Sequence, residues 1–138
     1  MKGQYLTIEY VIFFAIGIGM IVAVYFLFSN INSISEKSAI KAQLEITGEM
    51  IRGTIINVLE ASNLTNSTIY YNLTIPPKLS RCTYAIKVEN GLNLNCTGDP
   101  TTGVILTLYN FNIDTENIIY SPRSYLQIVA EDGVVELK

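Results

Sequence analysis

Few side chains in this 138-residue sequence have the chemistry for a reaction. It contains no histidine, which removes the commonest general base and the commonest zinc ligand together. Three arrangements remain. Glu9 stands at the threshold of an uncharged apolar run, where a carboxylate can neutralise a nearby ammonium. Cys82 and Cys96 make an even pair: they read either as a disulfide or as two buried thiols. Four Asn-x-Ser/Thr triplets begin at Asn63, Asn66, Asn72 and Asn95 and are candidate N-glycosylation acceptors. The "DTEN" stretch from Asp114 to Asn117 offers carboxylates, but it lacks the ligand number and the glycine of a calcium loop. It reads as a solvated turn. No base, nucleophile pair or metal cluster assembles, so the sequence predicts a protein that is not an enzyme and needs no cofactor.

The elements that must position these residues begin with "YVIFFAIGIGMIVAVYFLF", residues 10–28, which carries no charge. Nineteen helical residues span about 29 Å, close to the thickness of a bilayer's hydrocarbon core. A chain of this size hardly makes a globular core that could bury such a helix. A secretory signal would have a shorter apolar region and a small-residue cleavage site, whereas "SNINSISEK" follows here. The apolar helix is therefore expected to stay in the mature protein. Lys2 lies before the run while Lys37 and Lys41 follow it, so lysines alone leave the orientation open.

Net charge is −3, with no basic patch, which argues against a nucleic-acid partner. The four triplets crowd into residues 63–97 beside turn residues. They read as an exported, glycosylated surface, or else as an Asn/Thr-rich loop with β-strand threonines. With the cysteine pair, they favour the exterior for the carboxy-terminal part.

Beyond the apolar run, Ile40, Leu44, Thr47, Ile51, Ile55 and Val58 recur at spacings of three and four, one face of a helix. A continuous helix from Leu6 to Leu59 would be about 80 Å long. "SNINSIS" (29–35) is its weak point, a place for a kink, because Ser and Asn compete for backbone hydrogen bonds. "ASNLTNST" ends it. Strand patterns follow. "IYYNLTI" stops at Pro76-Pro77. "CTYAIKV" and "LNLNC" flank "ENG", predicting a hairpin with Gly91 in the left-handed conformation. That register pairs Val88 with Leu92, Ile86 with Leu94 and Tyr84 with Cys96, and makes Cys82 and Cys96 diagonal neighbours on one face. "VILTLYNFNI" (104–113) predicts the longest strand, and "YLQIVA" with "VVEL" a hairpin across "EDG". The tyrosines at 70, 71, 84, 109, 120 and 125 fit amphipathic strands and subunit contacts better than a ligand cage. The fold class is α+β: a long amino-terminal helix, then a small antiparallel sheet or sandwich.

"KGQ", a nearby glutamate and an apolar helix continuing as an amphipathic one together resemble archaeal type IV pilins with a class III signal peptide. The matching positions are Gln4, Thr7 and Glu9, with "IEYV" the best local match. Glu9 lies five residues after Gln4, against four in the family pattern. The resemblance covers residues 1–60 by architecture and 2–13 by motif. It implies a leader at 1–3 cut between Gly3 and Gln4, a helix over 4–61 and an extracellular β-domain over 62–138. Cutting there would create an ammonium on Gln4. Glu9 then either pairs with that amine, in its own chain or a neighbour, or rests in the headgroup region.

The function implied is a structural subunit of a secreted filament, compatible with adhesion or surface attachment. The precursor would sit in the cell membrane and the assembled form on the cell surface. Its partners would be copies of itself, a prepilin peptidase and an assembly machine. The rival outline is a permanently anchored β-sandwich protein that binds or acts as a stator in an archaeal motility machine.

Overall fold

A computed structural model describes the backbone of residues 2–108, 112–114 and 118–138, and the side chains of 8–108, 113 and 118–138. One helix, α1, runs from Lys2 to Thr65. Eight strands follow among the described residues: β1 Ile69–Thr74, β2 Tyr84–Val88, β3 Leu92–Cys96, β4 Gly103–Leu106, β5 Asn112–Asp114, β6 Ile119–Tyr120, β7 Tyr125–Glu131 and β8 Val134–Leu137. The α+β class read from the sequence is the fold observed. The chain divides into two compact units, Met1–Lys37 and Ser38–Lys138.

The helix is unbroken through 29–35, where Ser33 Oγ donates to the Asn30 carbonyl at 2.9 Å. That bond lies within the helical repeat, so the serine does not pull the backbone into a competing turn. The helix ends past Leu59 because Asn66 takes a left-handed φ of 52°. The Ser67 N–H donates back to the Ser62 carbonyl at 3.4 Å, a six-to-one closure of the last turn. Ser62 Oγ adds bonds to the carbonyls of Ser67 at 2.8 Å and Ala130 at 3.2 Å, tying the helix end to β7.

Within the second unit, the stripe Ile40, Leu44, Thr47, Ile51, Ile55 and Val58 is buried throughout. It meets the inner faces of two sheets, ordered β1-β7-β8-β5 and β4-β3-β2-β6, in a single core. Leu73, Leu126, Ile128 and Val135 come from the first sheet, and Tyr84, Ile86, Leu92 and Leu94 from the second. Alternation along β3 shows the mechanism: Leu92, Leu94 and Cys96 point inward while Asn93 and Asn95 face out. Tyr84 donates its hydroxyl to the Pro76 carbonyl at 2.8 Å, and burial pushes its pKa up to about 12.

The β2–β3 register pairs Val88 with Leu92, Ile86 with Leu94 and Tyr84 with Cys96, as the hairpin reading requires. The turn differs in one respect. The left-handed position falls to Asn90, at φ 55°, while Gly91 opens to φ 143°. A Cβ on Gly91 would stand 2.6 Å from the Leu106 carbonyl oxygen, so glycine is required there by close approach as well as by φ. The β7–β8 hairpin turns through Asp132 and Gly133, both with positive φ, as a two-residue turn of the type that matches strand twist.

The stretch 104–113 is not one long strand. It supplies β4 at the edge of one sheet and β5 at the edge of the other, and residues 109–111 lie outside the described residues. β4 pairs with four of the five residues of β3. β5 then pairs parallel to β8, the one parallel pair among the described strands.

Two helix glycines separate propensity from packing. A Cβ on Gly53 would meet nothing within 4 Å, whereas one on Gly48 would stand 2.4 Å from Leu106 Cδ1 and 3.2 Å from Leu94 Cδ1. Gly53→Ala is expected to raise stability by about 1 kcal/mol through helix propensity alone. Gly48→Ala should gain less or lose, because the buried Leu106 must move. Denaturant unfolding of the detergent-solubilised pair would contradict this helix–sheet packing if the two gains were equal.

Candidate functional site

Gly3 and Gln4 lie in the helical backbone, and their side chains, with that of Thr7, are outside the described residues. Glu9 is solvent-exposed on the same helix and makes no ion pair among the described residues. Every large apolar side chain from Ile8 to Phe28 is also exposed; Phe14 reaches 72% and even the least exposed, Val22, 47%. This helix is long and apolar enough to cross a membrane. Monomeric soluble proteins rarely expose more than a few hundred Å² of contiguous apolar surface. Something other than this unit's own side chains must cover it.

In the second unit all four triplet asparagines, Asn63, Asn66, Asn72 and Asn95, are exposed. Their geometries differ. Asn63 and Thr65 lie in the last helical turn, two positions and so about 200° apart around the axis. The Thr65 hydroxyl is engaged with the Ala61 carbonyl and Ser67 Oγ, each at 2.8 Å. Asn66 is the left-handed cap of the helix. In Asn95-Cys96-Thr97 the Thr97 hydroxyl bonds Thr83 Oγ1 at 2.6 Å and the Thr83 carbonyl at 3.0 Å, and the Asn95 carboxamide fills the space where Gly103 lacks a Cβ. Asn72 and Thr74 stand side by side on the outer face of β1, and neither side chain has a hydrogen-bond partner among the described residues.

Cys82 and Cys96 are joined, with Cα atoms 5.6 Å apart. Both are buried, so the bridge is part of the core. It fastens the segment after Pro77 to the end of β3, where the Thr97 N–H also donates to the Thr83 carbonyl at 2.8 Å. Among the described residues no three His, Cys, Asp or Glu side chains gather as metal ligands. Asp114 contributes backbone to β5, and the rest of "DTEN" falls outside the described residues. Tyr70, Tyr71, Tyr120 and Tyr125 are exposed, Tyr84 is buried, and Tyr109 is outside the described residues.

Surface charge is paired locally. Lys87 holds the Glu89 carboxyl below its usual range by a hydrogen bond, and Glu136, 2.8 Å from Lys138, raises that ammonium's pKa in the same way. Both pairs lie half-exposed on the surface and contribute little to stability. One feature escaped the sequence reading. Ile46 and Met50, four apart and off the buried stripe, line an open apolar groove with Thr47 and Thr74–Pro77. Their spacing was the available signal, but only the packed sheet shows which stripe is left outside.

Compared with known proteins, the chain matches no family model, no curated protein and no solved structure.

Closing a loop of this length, with a sequence separation of 14, removes enough freedom from the unfolded chain to stabilise by about 3 kcal/mol. Cys82→Ser with Cys96→Ser should lower unfolding stability by about that amount. An unchanged denaturant midpoint would show that the bridge constrains nothing the core does not already hold.

Proposed function

We propose that this protein is a filament subunit of the archaeal type IV pilin kind. Its amino-terminal helix is a membrane anchor in the precursor and the core of the assembled filament. The observation that carries the reading is the division of labour along α1. Residues 40–62 present one apolar face, which the β-domain covers, whereas 10–28 are apolar all round and exposed. A helix apolar on every side belongs in lipid or among other helices. A filament of identical subunits supplies the second environment from the same gene product.

Residues 62–138 face the exterior in this proposal, supported by the buried disulfide and the exposed Asn-x-Thr/Ser triplets. The part played by the protein in this proposal is structural. A peptidase cuts between Gly3 and Gln4, and the new amine pairs with Glu9 of its own or a neighbouring chain. Leaving lipid for a protein core removes the water that either charge could otherwise draw on, so the pair forms as subunits dock. Pairing at a fixed depth would set the axial register of each added copy.

Glu9→Gln keeps the size of the side chain and deletes its charge. The unpaired ammonium should disfavour assembly by about 3–5 kcal/mol, the cost of breaking a buried pair. Membrane insertion should survive, since a neutral side chain enters lipid more readily. The variant is expected in membranes, cut after Gly3, with shed filaments scarce; mass spectrometry of its amino terminus and filament yield are the two readouts. Normal yield from correctly cut protein would contradict the pairing. Wild-type protein retaining Met1 and Lys2 would contradict the filament reading and favour a permanent anchor.

A further inference from the structure

Each sheet ends in two edge strands, and the four differ in length. β1 has six residues, against four in β4, three in β5 and two in β6. Its sequence, "IYYNLT", is uncharged, aromatic and free of proline. It pairs with β7 along its full length on one side. Residues 69–74 make no other backbone hydrogen bond among the described residues. An uncharged strand of this length with a free side is a template for another chain's strand. Proteins normally guard such an edge with charge, proline, a bulge or a cover, and β1 itself has none of the first three.

What it has is a modification signal in the right place. In a strand, residues two apart share a face, so Asn72 and Thr74 project together from the outer side. Both are exposed and unbonded, unlike the hydroxyls of Thr65 and Thr97, which are already engaged. Tyr70 lies on the same face two residues before Asn72, and Tyr125 is the cross-strand partner of Thr74. Tyr70 and Tyr125, 69% and 56% exposed, share that outer face with Asn72 and offer apolar surface against which a sugar can lie.

We propose that Asn72 carries an N-linked glycan that covers the free edge of β1 and prevents its pairing with another strand. The inference rests on the reading of residues 62–138 as extracellular. Attachment forms a bond from Asn72 Nδ2 to the anomeric carbon of a sugar supplied by an activated glycosyl-phosphate donor. The bond from that carbon to the donor's phosphate oxygen breaks, the phosphorylated carrier leaves with the electron pair, and one Nδ2 proton passes to solvent. No oxidation or reduction is involved.

The test uses full-length protein from its own cells, solubilised in detergent. Glycopeptide mass spectrometry should find Asn72 occupied, with Asn63 and Asn95 lower. Thr74→Ser should keep the glycan, whereas Thr74→Ala and Asn72→Gln should lose it. At matched concentration the two bare variants should show several-fold more cross-linked dimer, joined through β1, than wild type or Thr74→Ser. Adding Tyr70→Lys to Asn72→Gln puts a charge on the bare edge and should return the monomer. Occupancy at other triplets but not Asn72 would overturn the proposal and leave the exterior reading standing. Occupancy nowhere would overturn the proposal and remove a main support of that reading. An occupied Asn72 whose bare variants stay monomeric would overturn the guarding role.

Discussion

The amino-terminal part of the helix is apolar on every side, while the part within the second unit buries a single face. From Ile40 to Ser62 a single face is buried under two small sheets. From Ile8 to Phe28 there is no buried side chain at all. Burying a large apolar side chain is worth roughly 1.5–3 kcal/mol, so a run of exposed Phe, Ile and Val is a large unspent driving force for association or insertion. One continuous helix thus belongs to two environments. A single molecule in water satisfies only the second of them.

The β-domain is small, and its stability depends on using the helix as a wall. Ser62 holds the helix end to β7, Gly48 lets Leu106 and Leu94 come close, and Tyr84 anchors β2 to the Pro76 carbonyl. The disulfide secures the segment around Leu79–Cys82, whose isolated bridge closes only on itself, to the end of β3. Docking of the sheets fixes which side of α1 is interior, leaving Ile46 and Met50 on the outside beside Pro76 and Pro77. The same docking leaves β1 at a free edge, with Asn72 on its outer face.

Much of this was legible because periodicity and turn chemistry are local. The stripe from Ile40 to Val58 follows the helical repeat, and all six of its residues are buried. "ENG" marked the β2–β3 register, which makes the two cysteines neighbours on one face, and "EDG" marked the β7–β8 hairpin. The failures share a cause in tertiary context. The apolar stretch 104–113 carries no sign that it divides between two sheets, β4 pairing with β3 and β5 with β8. Asn90, not Gly91, takes the left-handed position, and glycine is kept at 91 because a Cβ there would meet the Leu106 carbonyl. The helix outlasts Leu59 because its stop is the Asn66 cap, a few residues beyond the last periodic apolar position. At the amino terminus, the role proposed for Glu9 rests on the resemblance to archaeal pilins, because periodicity says nothing of a single carboxylate.

The central claim is that the apolar segment is covered by lipid first and by copies of itself afterwards. A single cysteine in place of Ile16, with the native pair already joined, puts a reactive thiol in the middle of that segment. Membrane and sheared extracellular fractions would then be treated with a short bifunctional maleimide. The account predicts Ile16→Cys chains cross-linked to one another in the extracellular fraction and largely single in the membrane. Protein confined to membranes, with no cross-linked extracellular species from an otherwise normal culture, would contradict it.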